Sequence, residues 1–550
     1  MQSINILSKK ALLAEFAIAT GILAGCTAEK EVDPFHAELG FRPNILCVVC
    51  EDISPYLGCY GDTAAYTPNL DKLAEEGVMF TNVFSVSGVC APSRAALITG
   101  MYPTSFGANN MRTNRKNLPE LKDCPPYEAV PPAEVKCYPE FMRSAGYYCT
   151  NNEKEDYQFK APGTAWDESS KNAHWRNRPE GSNFFAIFNF IRSHESQIWN
   201  WLDEPKSVDP DDVPVPPYYP DNDVVRKDIA TLYTNITIMD REVGEVLDQL
   251  EKDGLMDSTI VIFYSDHGGP MPRGKREILD SGLEVPMIIR FPGKKYAGTV
   301  NDDLISFVDI PATILSMAGV EIPDYMHGQA FWGSQKDEPR EYIFAARDRM
   351  DGQTDCRRAV RNKKFKYIRN YMPEKPAYMP IQFRLAMPTM QELLRMKEEG
   401  TLNENQMHWF RETKEVEELY DLEKDPYELN NVAEDPEYAD VLEELRNVHI
   451  QWMKDINDPG PIPERELVAS MWPGLVQPVT ENPGITNNNG LISLTCATPG
   501  ASIAYQINGK GYNEKHSFLY SDPFEIKEGD EVSAKAYRIG YEPSEWVSDF

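Results

Sequence analysis

Two apolar runs, Asn44–Cys50 and residues 259–264, constrain this chain more than any other feature. Both are continuous rather than alternating and rich in β-branched residues, the pattern of a strand covered on both faces inside a parallel sheet. Both end in acids, Glu51-Asp52 after the first and Asp266-His267 after the second. Helical signals lie between them. Thr67-Pro68 offers a cap and a first-turn proline ahead of Leu70, Leu73 and Ala74. Ile229, Leu232, Ile236, Met239, Val243 and Leu247 recur at helical spacing across 224–250. Strands alternating with helices predict an α/β fold, and in an open sheet the carboxyl ends of neighbouring strands border one crevice.

Beyond this core the character changes twice. Residues 204–220 carry six prolines and read as an ordered surface loop. After a helix-like stretch at 310–318, residues 333–475 combine charge-and-apolar alternation at 357–371 with helical patterns at 390–396 and 436–453, a smaller α+β unit. Residues 478–550 are rich in Thr, Ser, Asn and Gly, with short strand-like runs at 491–496, 502–507 and 531–537, and predict a small antiparallel β-sandwich. The expected organisation is a leader over 1–25, a tether over 26–41, a main domain over 42–332, the α+β unit and the sandwich.

Lys9 and Lys10 precede an apolar stretch at 11–23, too short to span a bilayer, as in an export signal. No other segment reaches the ~18 apolar residues of a spanning helix. The balance of 55 basic against 86 acidic residues, a net charge of −31, argues against a general nucleic-acid binder. Any anionic substrate must therefore meet a local basic pocket. Ten cysteines are too few for a disulfide scaffold. Cys47 and Cys50 read as buried strand thiols, and an exported chain permits a disulfide among Cys124, Cys137 and Cys149 without fixing the pair.

The densest chemical signal is Cys90-Ala91-Pro92-Ser93-Arg94, followed by Leu97-Ile98-Thr99-Gly100. Proline and the alanines after it place a helix start at Cys90, where free N–H groups and the helix dipole favour an anion. The acids Glu51, Asp52 and Asp266, gathered at two strand ends, would repel one another unless a hard divalent cation sat between them.

The Cys-x-Pro-Ser-Arg and Leu-x-Thr-Gly elements resemble the signature of type I sulfatases, in which the cysteine is oxidised to formylglycine. The resemblance covers roughly residues 42–455. It implies an alkaline phosphatase-like fold, with a mixed, mostly parallel sheet flanked by helices. It also implies a bound divalent cation, usually Ca2+ with Mg2+ or Mn2+ as alternatives, and hydrolysis of sulfate esters or sulfamates. Glu51, Asp52, Asp266 and His267 then take the metal-ligand positions, with Glu51 and His267 departing from the commonest residues there. Arg94 holds the formylglycine, and Lys275 bridges sulfate and leaving group unless Arg273 or Arg276 is the aligned residue. His194, after the buried run at 184–190, protonates the leaving atom. Lys154 matches a family lysine, but Asp156 stands where relatives carry a histidine.

Asn110, Arg112, Arg347 and Arg349 are further candidates for contact with a sugar. Leu23-Ala24-Gly25-Cys26 resembles a bacterial lipoprotein signal, implying lipidation of Cys26 and an envelope-anchored protein with no other membrane contact. The sandwich resembles the one appended to chitobiases, and Glu418 to Pro426 a recurrent C-terminal sulfatase segment. These resemblances together imply a sulfatase acting on a sulfated carbohydrate, with the heparan N-sulfatase-like branch and a glucosamine sulfate foremost. A phosphonate monoester or phosphodiester hydrolase of the same fold and a silent glycan-binding lipoprotein are the alternatives. Oligomeric state is not readable from the sequence.

Overall fold

The computed structural model describes residues 33–113, 124–511 and 516–549. The export signal and Cys26 lie outside the described residues. Eight strands form the main sheet: β1 (Asn44–Cys50), β2 (Val78–Phe80), β3 (Tyr148–Asn152), β4 (Glu168–Ser169), β5 (Phe184–Phe190), β6 (Thr259–Ser265), β7 (Met287–Arg290) and β8 (Thr299–Asn301). Their spatial order is β4-β3-β5-β1-β6-β7-β2-β8. The first five in that order are mutually parallel, and β7 runs antiparallel to both β6 and β2, which makes the sheet mixed but mostly parallel.

Every residue of β1 and β6 is buried. The reason is visible in the two cores. Ile45, Cys47, Val49, Ile260, Ile262 and Tyr264 face one, and Leu46, Val48, Cys50, Val261 and Phe263 the other. Period-two alternation between two apolar layers reads in sequence as one unbroken apolar run. Helices α1 (Pro68–Glu75) and α3 (Asp223–Lys252) cover the second layer, and α2 (Cys90–Thr99) and α4 (Asp309–Met317) the first. Asn222 caps α3 by accepting from the Val225 amide. Thr67 does not cap α1 as expected; its hydroxyl donates to Asp71 instead, at 3.0 Å.

Parallel register sets the level at which the chain leaves the sheet. Cys50 pairs with Phe190 on one side and Ser265 on the other, so the segments after β5, β1 and β6 emerge together. Asn152 of β3 pairs with Phe188, which brings the residues after β3 to the same edge.

The second unit is an antiparallel meander of β9 (Ile343–Arg347), β10 (Arg357–Arg361), β11 (Phe365–Asn370) and β12 (Glu417–Asp421), with helices α5 (Pro388–Glu399) and α6 (Ala439–Asp455). Trp452 of α6 stacks on Phe344 at 4.7 Å and meets Tyr102 of the main body edge-on at 5.2 Å, so the two units share a core. The last segment forms two small antiparallel sheets over a core of Ile492, Leu494, Ile503, Val532, Ala534 and Ala536. It is docked rather than strung: Lys136 Nζ donates to Gly500 O at 2.6 Å and to Ser502 Oγ at 2.9 Å.

Two expectations need correction. Part of the expected tether, Pro34–Leu39, is a short helix capped by Asp33, and its Phe35 is buried in the first core. The nine described cysteines are all free thiols, so no bridge joins Cys124, Cys137 and Cys149. Cys137 and Cys149 are buried in the main core, whereas Cys124 packs beside Tyr127 and Trp472. No helix among the described residues is long and apolar enough to cross a membrane.

Candidate active site

Cys90 is the first residue of α2, and Val89 before it provides no side-chain cap. The first-turn amides therefore keep their donor capacity at the thiol. Gly88 fixes how closely the next loop approaches: a Cβ there would lie 2.1 Å from Glu277 O. The Arg276 amide donates to Gly88 O at 2.6 Å, and this bond seats the loop carrying Lys275 against the Cys90 turn.

Around Cys90 the four strand ends deliver one ionic cluster. Its Sγ lies 3.4 Å from His267 Nε2, 3.8 Å from Lys275 Nζ and 3.9 Å from Asp52 Oδ1. Ligand atoms of Asp52, Cys90, Asp266 and His267 all lie within 4.8 Å of one another, and a second such group joins Glu51 and His194 to Asp52 and Cys90. Asp52 turns the chain after β1 with a left-handed φ of 56°. Its Oδ1 is 3.0 Å from His267 Nε2, and its Oδ2 accepts from Lys275 Nζ at 2.5 Å and from the Glu195 amide at 2.8 Å. Arg94 Nε donates to Asp266 Oδ2 at 3.0 Å and Nη1 to Asn189 Oδ1 at 2.8 Å, while its buried Nη2 has no partner. Lys154 Nζ stands 2.8 Å from Glu51 Oε2 as an ion pair without hydrogen-bond alignment.

The electrostatics follow from burial and opposite charge. Burial pulls the His267 imidazole down, yet Asp266 and Asp52 together hold it up at about 10. Asp266 is held low against burial by His267 and Arg94, and Asp52 likewise by Lys275. Burial and the Lys275 ammonium both lower His194, which makes its protonated form a better acid. His194 Nδ1 bonds Ser196 Oγ at 2.9 Å, leaving Nε2 to face Glu51 at 4.0 Å. The side chains of Lys154 and His194 are 21% and 17% exposed while the other named members are almost fully buried, so the crevice opens on their side.

The donor set fits a hard divalent cation: Asp52, Asp266 and His267 offer donor atoms within 4.8 Å of one another, and Glu51 joins Asp52 in a second, adjoining group.

Other sequence candidates sit further out. Arg276 is bound bidentately by Glu195 at 2.6 and 2.9 Å. Arg273 donates to the backbone oxygens of Tyr427 and Glu428, Arg347 to Arg276 O and Asp355, and Arg349 to Glu464. Their partners thus lie outside the cluster, and these three arginines brace the framework instead of projecting into it. Asn110 is buried between Tyr127 and the Arg349 amide, also a bracing position. Arg112 remains at the surface, its side chain 40% exposed beside Asp351. Asp156 acts on Arg94 by charge.

Sequence reading assigned nothing to Glu195 or Asn189, although both were visible as polar residues in or just after the β5 run. A separate cavity of about 500 Å3, walled by Tyr56, Tyr218, Tyr233 and the prolines 214 and 216, contains no member of the cluster.

A cysteine at a helix mouth, set among acids and lysines at the carboxyl edge of an α/β sheet, can hold an oxyanion and a cation side by side. Comparison with known proteins gives the family. Residues 43–320 match the family model described as Sulfatase, and residues 273–379 that of the N-sulphoglucosamine sulphohydrolase C-terminal region. The chain is 49% identical to an "Ulvan-active sulfatase" of Formosa agariphila over 92% of its length and 91% of the relative. It is 27% identical to the Homo sapiens N-sulphoglucosamine sulphohydrolase over 76% of this chain and 91% of that one. A solved structure in complex with D-glucosamine-2-N,6-O-disulfate shares the fold with a TM-score of 0.53 at 17% identity, covering 76% of this chain and 99% of that one. The chain belongs to the sulfatase family, with its alkaline phosphatase-like fold, and is a sulfuric ester hydrolase.

Proposed function

We propose that this chain removes sulfate from a sulfated carbohydrate, through formylglycine made from Cys90 and a divalent cation, Ca2+ foremost, held by Glu51, Asp52, Asp266 and His267. The observation that carries this reading is the convergence of Cys90 with Asp52, Asp266 and His267 within 4.8 Å, with Lys275 beside the thiol at 3.8 Å. Formylglycine at position 90 would supply a nucleophilic hydrate oxygen, and a cation held by Glu51, Asp52, Asp266 and His267 would supply positive charge for the sulfate oxygens. Lys275 and Lys154 bind and orient the anion, and Arg94 holds the formylglycine. His194 Nε2 gives its proton to the departing oxygen or nitrogen. The likeness to an ulvan-active sulfatase makes an ulvan the first substrate to test, ahead of a glucosamine sulfate. The leader and the Leu23-Ala24-Gly25-Cys26 sequence support lipid anchoring in a bacterial envelope.

The test is inorganic sulfate release, read by ion chromatography, from ulvan and from defined glucosamine sulfates, using protein made in a host that oxidises such cysteines. Mass analysis of the Cys90 peptide should show an aldehyde in place of the thiol, and Cys90→Ala should release no sulfate. An aldehyde-bearing protein that frees sulfate from none of these substrates overturns the reading.

A further inference from the structure

Phe383 is a large apolar side chain left 39% exposed in the loop before α5. Its surroundings are not those of a stray surface residue. The ring centroid lies 6.4 Å from that of His194, the group placed to protonate the leaving atom, and 5.3 Å from Trp199, edge-on. The guanidinium carbons of Arg112 and Arg276 lie 5.9 and 6.0 Å from the same centroid. The crevice opens on the His194 side, so an exposed aromatic ring borders the space into which the leaving group must project.

Arg112 stands beside it in a left-handed backbone conformation, φ 61°, and Asp351, its ion-pair partner at 3.0 Å, has φ 50°. Such conformations cost free energy in non-glycine residues and persist where a site over-determines them. Arg112 Nε is buried against Asp351, whose side chain is 11% exposed, while the arginine side chain as a whole is 40% exposed and stays partly open to solvent. An incoming carboxylate or sulfate can therefore compete for the guanidinium, to which it binds in a planar, two-point fashion.

We infer that Phe383 is the platform on which the substrate's sugar ring packs, and that Arg112 at its edge binds a second anionic group, so the substrate is an acidic saccharide beyond its scissile sulfate. This rests on the sulfatase reading above. The ring supplies apolar contact to the C–H face of a sugar, and Arg112 supplies a positive charge at the ring's edge. The position also explains why no buried arginine is needed for sugar contact: Arg347 and Arg349 are held by internal acids.

The experiment measures kcat and KM for sulfate release from three disaccharides sharing one scissile sulfate: one otherwise neutral, one bearing a carboxylate, one bearing a second sulfate. Wild type is compared with Phe383→Ala, Phe383→Leu, Phe383→Tyr and Arg112→Gln. Phe383→Ala and Phe383→Leu are expected to raise KM about ten-fold on all three, more than they lower kcat, while Phe383→Tyr recovers most of the loss. Arg112→Gln should penalise at least one acidic disaccharide about ten-fold more than the neutral one; which one distinguishes a carboxylate from a sulfate partner. Phe383→Leu, which keeps the apolar bulk, guards against a misfolded alanine variant. Wild-type constants for Phe383→Leu, or an equal Arg112→Gln penalty on all three disaccharides, overturn the proposal. Absence of sulfate release by wild type, with the aldehyde present, instead overturns the sulfatase reading on which it stands.

Discussion

Replacing Glu195 with Gln removes one charge and almost no volume from the centre of the site. Both carboxylate oxygens are engaged by Arg276, at 2.6 and 2.9 Å, and Oε1 lies 3.4 Å from Lys275 Nζ. Against the cost of burial, Arg276 and then Lys275 hold Glu195 down to about 2. Arg276 is equally buried, its Nε already lacks a partner, and the next acids that act on it are Asp351 and Asp52. Asp52 is itself committed to Lys275 and His267. Glu195→Gln thus leaves a buried guanidinium without its counter-ion, a change that costs about 3–5 kcal/mol. Removing both charges, as Glu195→Gln with Arg276→Met, should recover most of that stability, because a buried pair contributes little over well-packed apolar residues. Activity should not recover, since Lys275 has lost a lateral anchor: kcat/KM for sulfate release is expected to fall about 100-fold in both variants. Urea midpoints followed by tryptophan fluorescence, alongside sulfate release, read the two effects separately. A single variant as resistant to urea as wild type, or a double variant no more resistant than the single, would refute the argument that Glu195 compensates Arg276.

Two further outcomes are expected away from the site. His327, His408 and His449 are each held near 4 by burial first and by a neighbouring arginine second. Their unfolded value is ~6.5, so the stability tied to their neutral forms is complete above that pH and is lost as pH falls toward 4, by up to ~1.4 kcal/mol per unit for each. The urea midpoint should therefore fall between pH 6.5 and 4.5, with a shallower slope in His449→Gln, and an unchanged slope there counts against this account. At Gly500 a Cβ would stand 1.9 Å from Ala133 O on a φ of +76°, so Gly500→Ala should loosen the C-terminal sandwich from the main body. Limited proteolysis should release a fragment beginning near residue 478 about ten times faster than in wild type, and equal rates would show that the sandwich is held elsewhere.

The fold was legible where chemistry is periodic. An unbroken apolar run implied two-sided burial, and β1 and β6 feed alternate residues into two cores. The cluster was legible because acids at strand ends and a cysteine at a helix start are local patterns, and parallel register brings them together. What escaped the sequence depended on distant partners. Whether an arginine faces a substrate or an internal acid is decided by contacts more than a hundred residues away: Arg349 meets Glu464, and Arg273 the backbone at Tyr427. Arg347, expected to read a sugar, instead braces the backbone of Arg276. Phe383 carried no signal in sequence, because an exposed aromatic in a loop acquires meaning only from what stands beside it.

An acidic protein that must hold an anion resolves the conflict locally. Screening confines the field of its distant carboxylates to within ~10 Å, so the charges that matter to a sulfate are those of the cluster itself. There Arg94, Lys154 and Lys275 stand against Asp266, Glu51 and Asp52, with Arg276 against Glu195 just behind them, a balanced set in which each cation is paired with an acid. Balanced charges position one another but leave little net attraction for an anion. Asp266 and Asp52 nevertheless raise the buried His267 despite its desolvation, the direction of a cage whose acids favour added positive charge. A divalent cation in that cage would supply that charge, free His267 as a neutral ligand and leave the lysines in surplus for the sulfate. By this reasoning anion binding and metal binding are one linked property of the site: weakening the acid cage should weaken both, whereas removing surface carboxylates should weaken neither.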